Sequence, residues 1–251
     1  MDEGVVWIDG VRYAAADAKV SVFDRGFLFG DSAFEVMRTY NRVPFRLDLH
    51  LARLQTSCER LLIGLSISGE QLAREVVDVV AASGLSEAYV RVVVTRGSGP
   101  MGIAIGPELV PSVLIYALPL SLPAAEAYER GVAVGLKRVG RPTDGTGAEG
   151  AKASNYLGSV LAVNEVRARG AAEAIIVGSG GQVIEGATSN VFIVRDGSVR
   201  TPPPRVGILE GITRRTVMEL CKARGRDFRE AQLHPQDLYS AHEVFITRSG
   251  R

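Results

Sequence analysis

Cysteine, histidine and charge of one sign are all scarce in this chain, and each shortage removes a class of function. Its two cysteines, Cys58 and Cys221, lie far apart on segments that read as amphipathic helices. They form no disulfide framework and read as buried free thiols, which places the chain in a reducing cytoplasm. The three histidines, His50, His234 and His242, have no ligand spacing with one another or with the cysteines, so no metal site is expected. Lys and Arg number 29 against 28 Asp and Glu, mixed along the whole length. No arm or face collects enough cations to neutralise a run of phosphates, which excludes nucleic acid as a partner. Long apolar runs are also missing. The most apolar stretch, Val110 to Leu122, is interrupted by Pro111 and Pro119 and is too short to cross ~30 Å of hydrocarbon. The start, MDEGVVWIDG, has neither the basic opening nor the apolar segment of a signal peptide. Small-molecule chemistry is what these absences leave.

What is present is a core-forming pattern. The 251 residues suffice for one large domain or two modest ones. Strands are predicted at Val5–Ile8, Phe34–Tyr40, Val43–Leu47, Tyr89–Thr95 and Val110–Tyr116 from β-branched and alternating character. Leu47, Leu51, Leu54, Cys58, Leu61 and Leu65 recur at intervals of four and three and so form one helical stripe. Ser68 and Gln71 read as a capping box opening a second helix that Gly84 ends. Further strands are expected at Val132–Lys137, Ala174–Val177, Val183–Ile184, Val191–Val194 and Val244–Thr247, with helices at Ser154–Arg169 and Ile212–Ala223. The fold class is α+β. Two domains are expected, a small N-terminal one over 1–118 and a larger one over 126–251, joined by a linker at 119–125.

Two glycine patterns imitate phosphate loops. Gly97-Ser-Gly99-Pro-Met-Gly102 matches G-x-G-x-x-G after a predicted strand, but Pro100 and Pro107 deny it the helix that would hold a pyrophosphate. In Gly145-Thr-Gly-Ala-Glu-Gly150-Ala-Lys152 the lysine arrives one residue too late for a P-loop. That second pattern places Lys152 at the mouth of a glycine-rich turn. Such a lysine is ordinarily a solvated surface residue. Its neighbours, Ala-Ser-Asn155-Tyr156-Leu-Gly, are small or apolar, and desolvation there would favour the neutral, nucleophilic amine.

The segments KASNYLGSVLAVNEVRARG, VIEGATSNVFIV and GILEGITRR, together with VFDRGFLFGDSAFEVMR near the start, resemble the class IV aminotransferases, the fold type IV pyridoxal-phosphate enzymes. That family includes branched-chain and D-amino-acid aminotransferases and aminodeoxychorismate lyases, and the similarity spans most of the chain. The resemblance implies pyridoxal 5′-phosphate as cofactor, Lys152 as its Schiff-base lysine, amino acid and 2-oxo acid as substrates, and a homodimer. It assigns Glu185 to the pyridine nitrogen, where a carboxylate keeps the ring protonated. By itself Glu185 would read as an exposed turn residue. Arg53 is assigned to the cofactor phosphate, for which a guanidinium fork is suited; its other reading is a surface arginine whose stem covers the core. Ile212 and Thr213 open a helix whose N–H groups, with the Thr213 hydroxyl, would bind the same phosphate, or Thr213 serves as an ordinary cap. Tyr156 matches the tyrosine that meets the cofactor's phenolic oxygen, or is a packed core tyrosine.

Phe34, Arg38, Tyr89 and Arg91 are implied to line the substrate pocket. Arg91 lies in an apolar run and needs an anion, either a substrate carboxylate or a protein carboxylate such as Glu35. After the last strand the chain departs from the family pattern. Arg248 stands where a small residue is usual, Ser249 falls where a phosphate-binding hydroxyl is expected, and the chain stops at Arg251. A shortened version with reduced activity is one expectation from that ending. The order of readings is aminotransferase, then aminodeoxychorismate lyase, then a cofactor-binding protein without catalysis. Glu35 after Phe34, and Tyr156, favour the first.

Overall fold

A computed structural model describes residues 3–139 and 148–250. Most of the glycine-rich stretch from Gly140 to Gly150, including Gly145 of the near P-loop, lies outside them. Contacts divide the chain into two compact units. One is Met1–Leu122 with Ala151–Asn155 and Gly250–Arg251; the other is Pro123–Gly150 with Tyr156–Ser249. A division at a single linker over 119–125 does not anticipate the return of Ala151–Asn155 to the first unit.

The first unit contains β1 (Val5–Ile8), β2 (Val11–Ala14), α1 (Arg25–Phe29), β3 (Ser32–Tyr40), β4 (Val43–Pro44), α2 (Leu47–Arg60), α3 (Gly69–Ser83), β5 (Ala88–Thr95) and β6 (Ser112–Pro119). Its six strands form one sheet in the order β2-β1-β6-β5-β3-β4, antiparallel throughout. Alternation along the strands separates two faces. One face presents Ala33, Met37, Val90, Val92, Val94, Val113, Ile115 and Ala117 to Leu51, Leu54 and Cys58 of α2 and to Leu72, Val76, Val79 and Val80 of α3, all buried. The expected capping residue operates, for the Ser68 side chain accepts from Gln71 N–H, and Gly84 ends α3 in the left-handed region. The strand expected over Val43–Leu47 is cut to two residues because Leu47 already begins α2.

Residues 96–111 connect β5 to β6 as an irregular loop bridged to Asp24 through Ser98. No helix follows Gly97, which removes the dinucleotide reading of that glycine pattern.

The second unit contains α4 (Ala125–Glu129), β7 (Val134–Arg138), α5 (Leu157–Arg167), β8 (Glu173–Val177), β9 (Val183–Gly186), β10 (Asn190–Arg195), β11 (Ser198–Thr201), α6 (Ile212–Ala223), β12 (Phe228–Glu230), α7 (Pro235–Tyr239) and β13 (Glu243–Thr247). They build two sheets, β12-β11-β10-β13 and β7-β8-β9. The helix expected to begin at Ser154 begins three residues later. Ser154 N–H is committed to Ser32 carbonyl, and Ala153 bridges Ala33, so this segment runs beside the start of β3 instead of entering the helix.

Gly97 and Gly84 both have positive φ but differ in space. A Cβ at Gly97 would stand 1.9 Å from the Val110 carbonyl oxygen, whereas one at Gly84 meets nothing within 4 Å. Gly84→Ala should therefore cost only the left-handed backbone strain of about 1–2 kcal/mol, and Gly97→Ala clearly more. Urea denaturation of the two variants side by side checks the order.

Candidate active site

In the first unit the residues expected around the substrate share one face. Direct partners in an antiparallel pair project to the same side, and the register pairs Val36 with Arg91 and Arg38 with Tyr89. Phe34, two residues from Val36, joins them. The Phe34 ring is the meeting point: the Arg91 guanidinium carbon lies 4.1 Å from its centroid and Lys152 Nζ 4.4 Å. Lys152, itself half-buried, thus packs on an aromatic residue that is buried. Arg38 is engaged at the end of the strand by Glu87, at 3.1 Å, and stacks on Tyr40.

Glu35 projects to the opposite, core-facing side, since its register partner is Val92. That parity removes it as the partner of Arg91. It is fully buried and is bound from α2: Arg53 Nε donates to Oε1 at 2.6 Å, Arg53 Nη2 to Oε2 at 2.7 Å, and His50 Nδ1 lies 2.6 Å from Oε2. Burial pushes the Glu35 carboxyl up, but the hydrogen bonds and charge of Arg53 and His50 outweigh it and hold the group below the ordinary carboxylate range. Arg53 is therefore no loose surface arginine. Two of its three nitrogens are locked on one carboxylate, and its side chain retains 13% exposure.

The second unit carries the remaining candidates. Glu185, on β9, accepts from Asn190 Nδ2 at 3.2 Å and from the Leu209 N–H at 2.9 Å. Asn190 also donates to the Leu209 carbonyl, so one amide ties the acid to the segment that leads into α6. The N-cap of α6, Gly211, has no side-chain cap, which leaves the first-turn N–H groups to other acceptors. Thr213 Oγ1 lies 3.1 Å from Ser249 Oγ there. Two hydroxyls at the start of a 12-residue helix are a donor set suited to a phosphate, and Glu185, bound to the Leu209 N–H just before that helix, suits a protonated ring nitrogen. Tyr156 stands half-buried at the N-cap of α5. Arg248 reaches back to Thr188 Oγ1 at 3.3 Å and lies 3.8 Å from the buried Glu173, which also accepts from Thr188.

Sequence reasoning passed over three residues. Asn190 closes the VIEGATSN segment, His50 precedes Arg53 by one helical turn, and Ser57 follows it by one. A polar residue recurring at helical spacing beside a core stripe is the signal that marks the last two.

The family model for amino-transferase class IV matches residues 32–251. The chain belongs to the class IV aminotransferases. It is 38% identical over 242 residues to a putative branched-chain-amino-acid aminotransferase of Methanocaldococcus jannaschii, covering 96% of this chain and 83% of that protein. Among solved structures, the branched-chain amino acid aminotransferase of Escherichia coli superposes with a TM-score of 0.92 at 33% identity, over 99% of this chain and 84% of the other. The branched-chain aminotransferase of the thermophilic archaeon Thermoproteus uzoniensis, solved with norvaline, gives 0.90 at 33% identity, over 98% and 84%. The α+β fold of this aminotransferase is accordingly that of fold type IV.

A folded-state carboxyl held below its unfolded value contributes stability at neutral pH, and that contribution is lost as pH falls through the folded value. Glu35→Gln should lower stability by about 3–5 kcal/mol at pH 7, because it leaves the Arg53 charge without its buried anion. The gap to wild type should narrow as pH falls below the ordinary carboxylate range and through the lowered folded-state value of Glu35. Trp7, the chain's single tryptophan and buried in the first unit, reports this by fluorescence during urea unfolding.

Proposed function

We propose that this aminotransferase moves the amino group of a branched-chain L-amino acid to a 2-oxo acid, with pyridoxal 5′-phosphate as cofactor and Lys152 as the amine that carries it. The observation that carries the reading is the pairing, in one unit, of an acid fixed by two N–H donors with an uncapped helix start bearing two hydroxyls. When bound, the cofactor supplies an electron-withdrawing ring that stabilises negative charge at the substrate Cα.

The chain's own residues do the rest. The Asn190 and Leu209 donors orient Glu185, which would hold a proton at the ring nitrogen. Thr213, Ser249 and the Ile212 N–H would hold the phosphate; the resemblance adds the Arg53 guanidinium, which Glu35 orients, and gives Tyr156 to the phenolic oxygen. Lys152 Nζ would take the proton from the substrate Cα, a general-base role worth ~10²–10⁴-fold. Phe34 and Tyr89 offer an apolar wall to an aliphatic side chain, Arg91 an anchor for a carboxylate, and Arg38 a charge at the end of the strand. We further read the enzyme as a cytoplasmic homodimer. The two free, buried thiols, Cys58 and Cys221, suit a reducing compartment, and the resemblance implies pockets shared between subunits.

Purified protein given the cofactor, L-valine and 2-oxoglutarate should form L-glutamate. Pyruvate release from aminodeoxychorismate in its place would select the lyase reading, and a D-amino acid as the sole donor would reverse the stereochemical assignment. Lys152→Ala should abolish both turnover and the absorbance of lysine-bound cofactor at the edge of the visible range. An unchanged spectrum would remove the central assignment. Glu185→Gln should keep the cofactor bound and slow turnover by at least ~10²-fold.

A further inference from the structure

Lys152 is held at both of its backbone polar groups, and one holder is a side chain. Its carbonyl accepts from Phe34 N–H of β3 at 3.0 Å. Its N–H donates to Ser57 Oγ at 3.1 Å. The same hydroxyl donates to the Arg53 carbonyl at 2.9 Å, one turn back on α2. Ser57 is 1% exposed. A hydroxyl carries one proton and two lone pairs, so both bonds can be made at once. A helical serine bonded to the carbonyl four residues earlier is common and needs no functional account. Its second bond does, because it ends on the main chain of the lysine.

The neighbouring bonds show what that bond completes. On the C-terminal side of Lys152, Ser154 is tied to Ser32 through both backbone and hydroxyl, the latter at 2.7 Å. On the N-terminal side of its Cα, Ser57 takes the corresponding part. We propose that Ser57 is a positioning residue for Lys152, locking the root of the lysine to the helix that carries Arg53 so that only its side chain swings during the reaction. The inference rests on the reading of Lys152 as the amine that carries the cofactor.

The chemistry shows why the root matters. In capture, Lys152 Nζ bonds to the aldehyde carbon of pyridoxal 5′-phosphate, and the aldehyde oxygen leaves as water with the two protons of the amine. The amine must later leave that carbon, act as a base and return. A side chain of four methylenes searches a small volume only if its Cα is fixed. Because Ser57 bonds to the Arg53 carbonyl, the same hydroxyl keeps the lysine in register with the arginine proposed for the phosphate. Misplacement by about 1 Å can cost up to ~10²-fold in rate.

The test separates capture from binding. Capture is timed by mixing cofactor-free protein with pyridoxal 5′-phosphate, quenching with borohydride and quantifying the label on Lys152 by mass spectrometry. Binding without capture is measured with pyridoxamine 5′-phosphate, which has no aldehyde. Ser57→Ala should slow capture by roughly 10- to 100-fold while affinity for pyridoxamine 5′-phosphate stays at the wild-type value, and Ser57→Thr should restore the rate. Capture at the wild-type rate in Ser57→Ala overturns the proposal. So does a parallel loss of capture and pyridoxamine 5′-phosphate affinity, which is the pattern of general packing damage. Should the alanine variant fail to fold, Ser57→Cys keeps the volume with a weaker donor and acceptor, and wild-type capture there overturns the proposal equally. Label trapped on a different lysine to the wild-type extent in Lys152→Ala would instead sink the reading of Lys152 itself, and the proposal with it.

Discussion

A carboxylate with no exposure, placed on a largely apolar sheet face, must be met by its counter-charge inside the core. Glu35 sets that condition for the first unit. An unpaired ion there would cost several kcal/mol, so the packing of α2 on the sheet is acceptable only in the rotation that brings His50 and Arg53 onto Glu35. Apolar packing alone is tolerant of small rotations, since aliphatic side chains slide past one another. A bidentate fork is not. Once α2 is indexed in this way, the next turn delivers Ser57 to the backbone of Lys152. The acid that the sequence offers as a possible mate for Arg91 thus serves as the reference mark from which the lysine is placed.

The second unit solves a related problem with neutral donors. Glu185 is only half-buried, and an amide and a backbone N–H help to orient it. Glu173 is buried, and the Thr188 and Ser189 hydroxyls with its own strand's N–H at Ala174 surround it, Arg248 standing at 3.8 Å. This arrangement pins the turn between β9 and β10, whose two strands carry Glu185 and Asn190 respectively. The family departure at Arg248 therefore lands on a carboxylate already built to receive donors.

Much of the fold is legible in the sequence because its signals are local. The α2 stripe, the Ser68 cap and the Gly84 stop depend on residues within a few positions of one another. Short pieces such as β2, α1 and α4 give no such signal, since four or five residues carry no measurable period. The start of α5 departs from its expected place for a tertiary reason: Ser154 and Tyr156 look alike to helix propensity, and only the pairing of Ser154 with Ser32 distinguishes them. At the site, the residue types with a motif are legible, while their supports are not. Ser57, His50 and Asn190 act on partners 95, 15 and 5 positions away, and a sequence displays such distances only after the fold has closed them. The alternation of β3 does contain the answer on Glu35 and Arg91, because the register of β3 against β5 sends them to opposite sides.

Asn190 has one more consequence. Its oxygen stands where a side chain on Gly211 would begin, 2.0 Å from the position of a Cβ, while its nitrogen holds Glu185. Bulk at 211 would push on that amide before it reached anything else, so the damage would be felt at the carboxylate and at the helix mouth together. Evolution at this corner is consequently a two-body matter: a larger residue at 211 becomes tolerable only alongside a smaller one at 190, and the acid would then need a new donor from elsewhere.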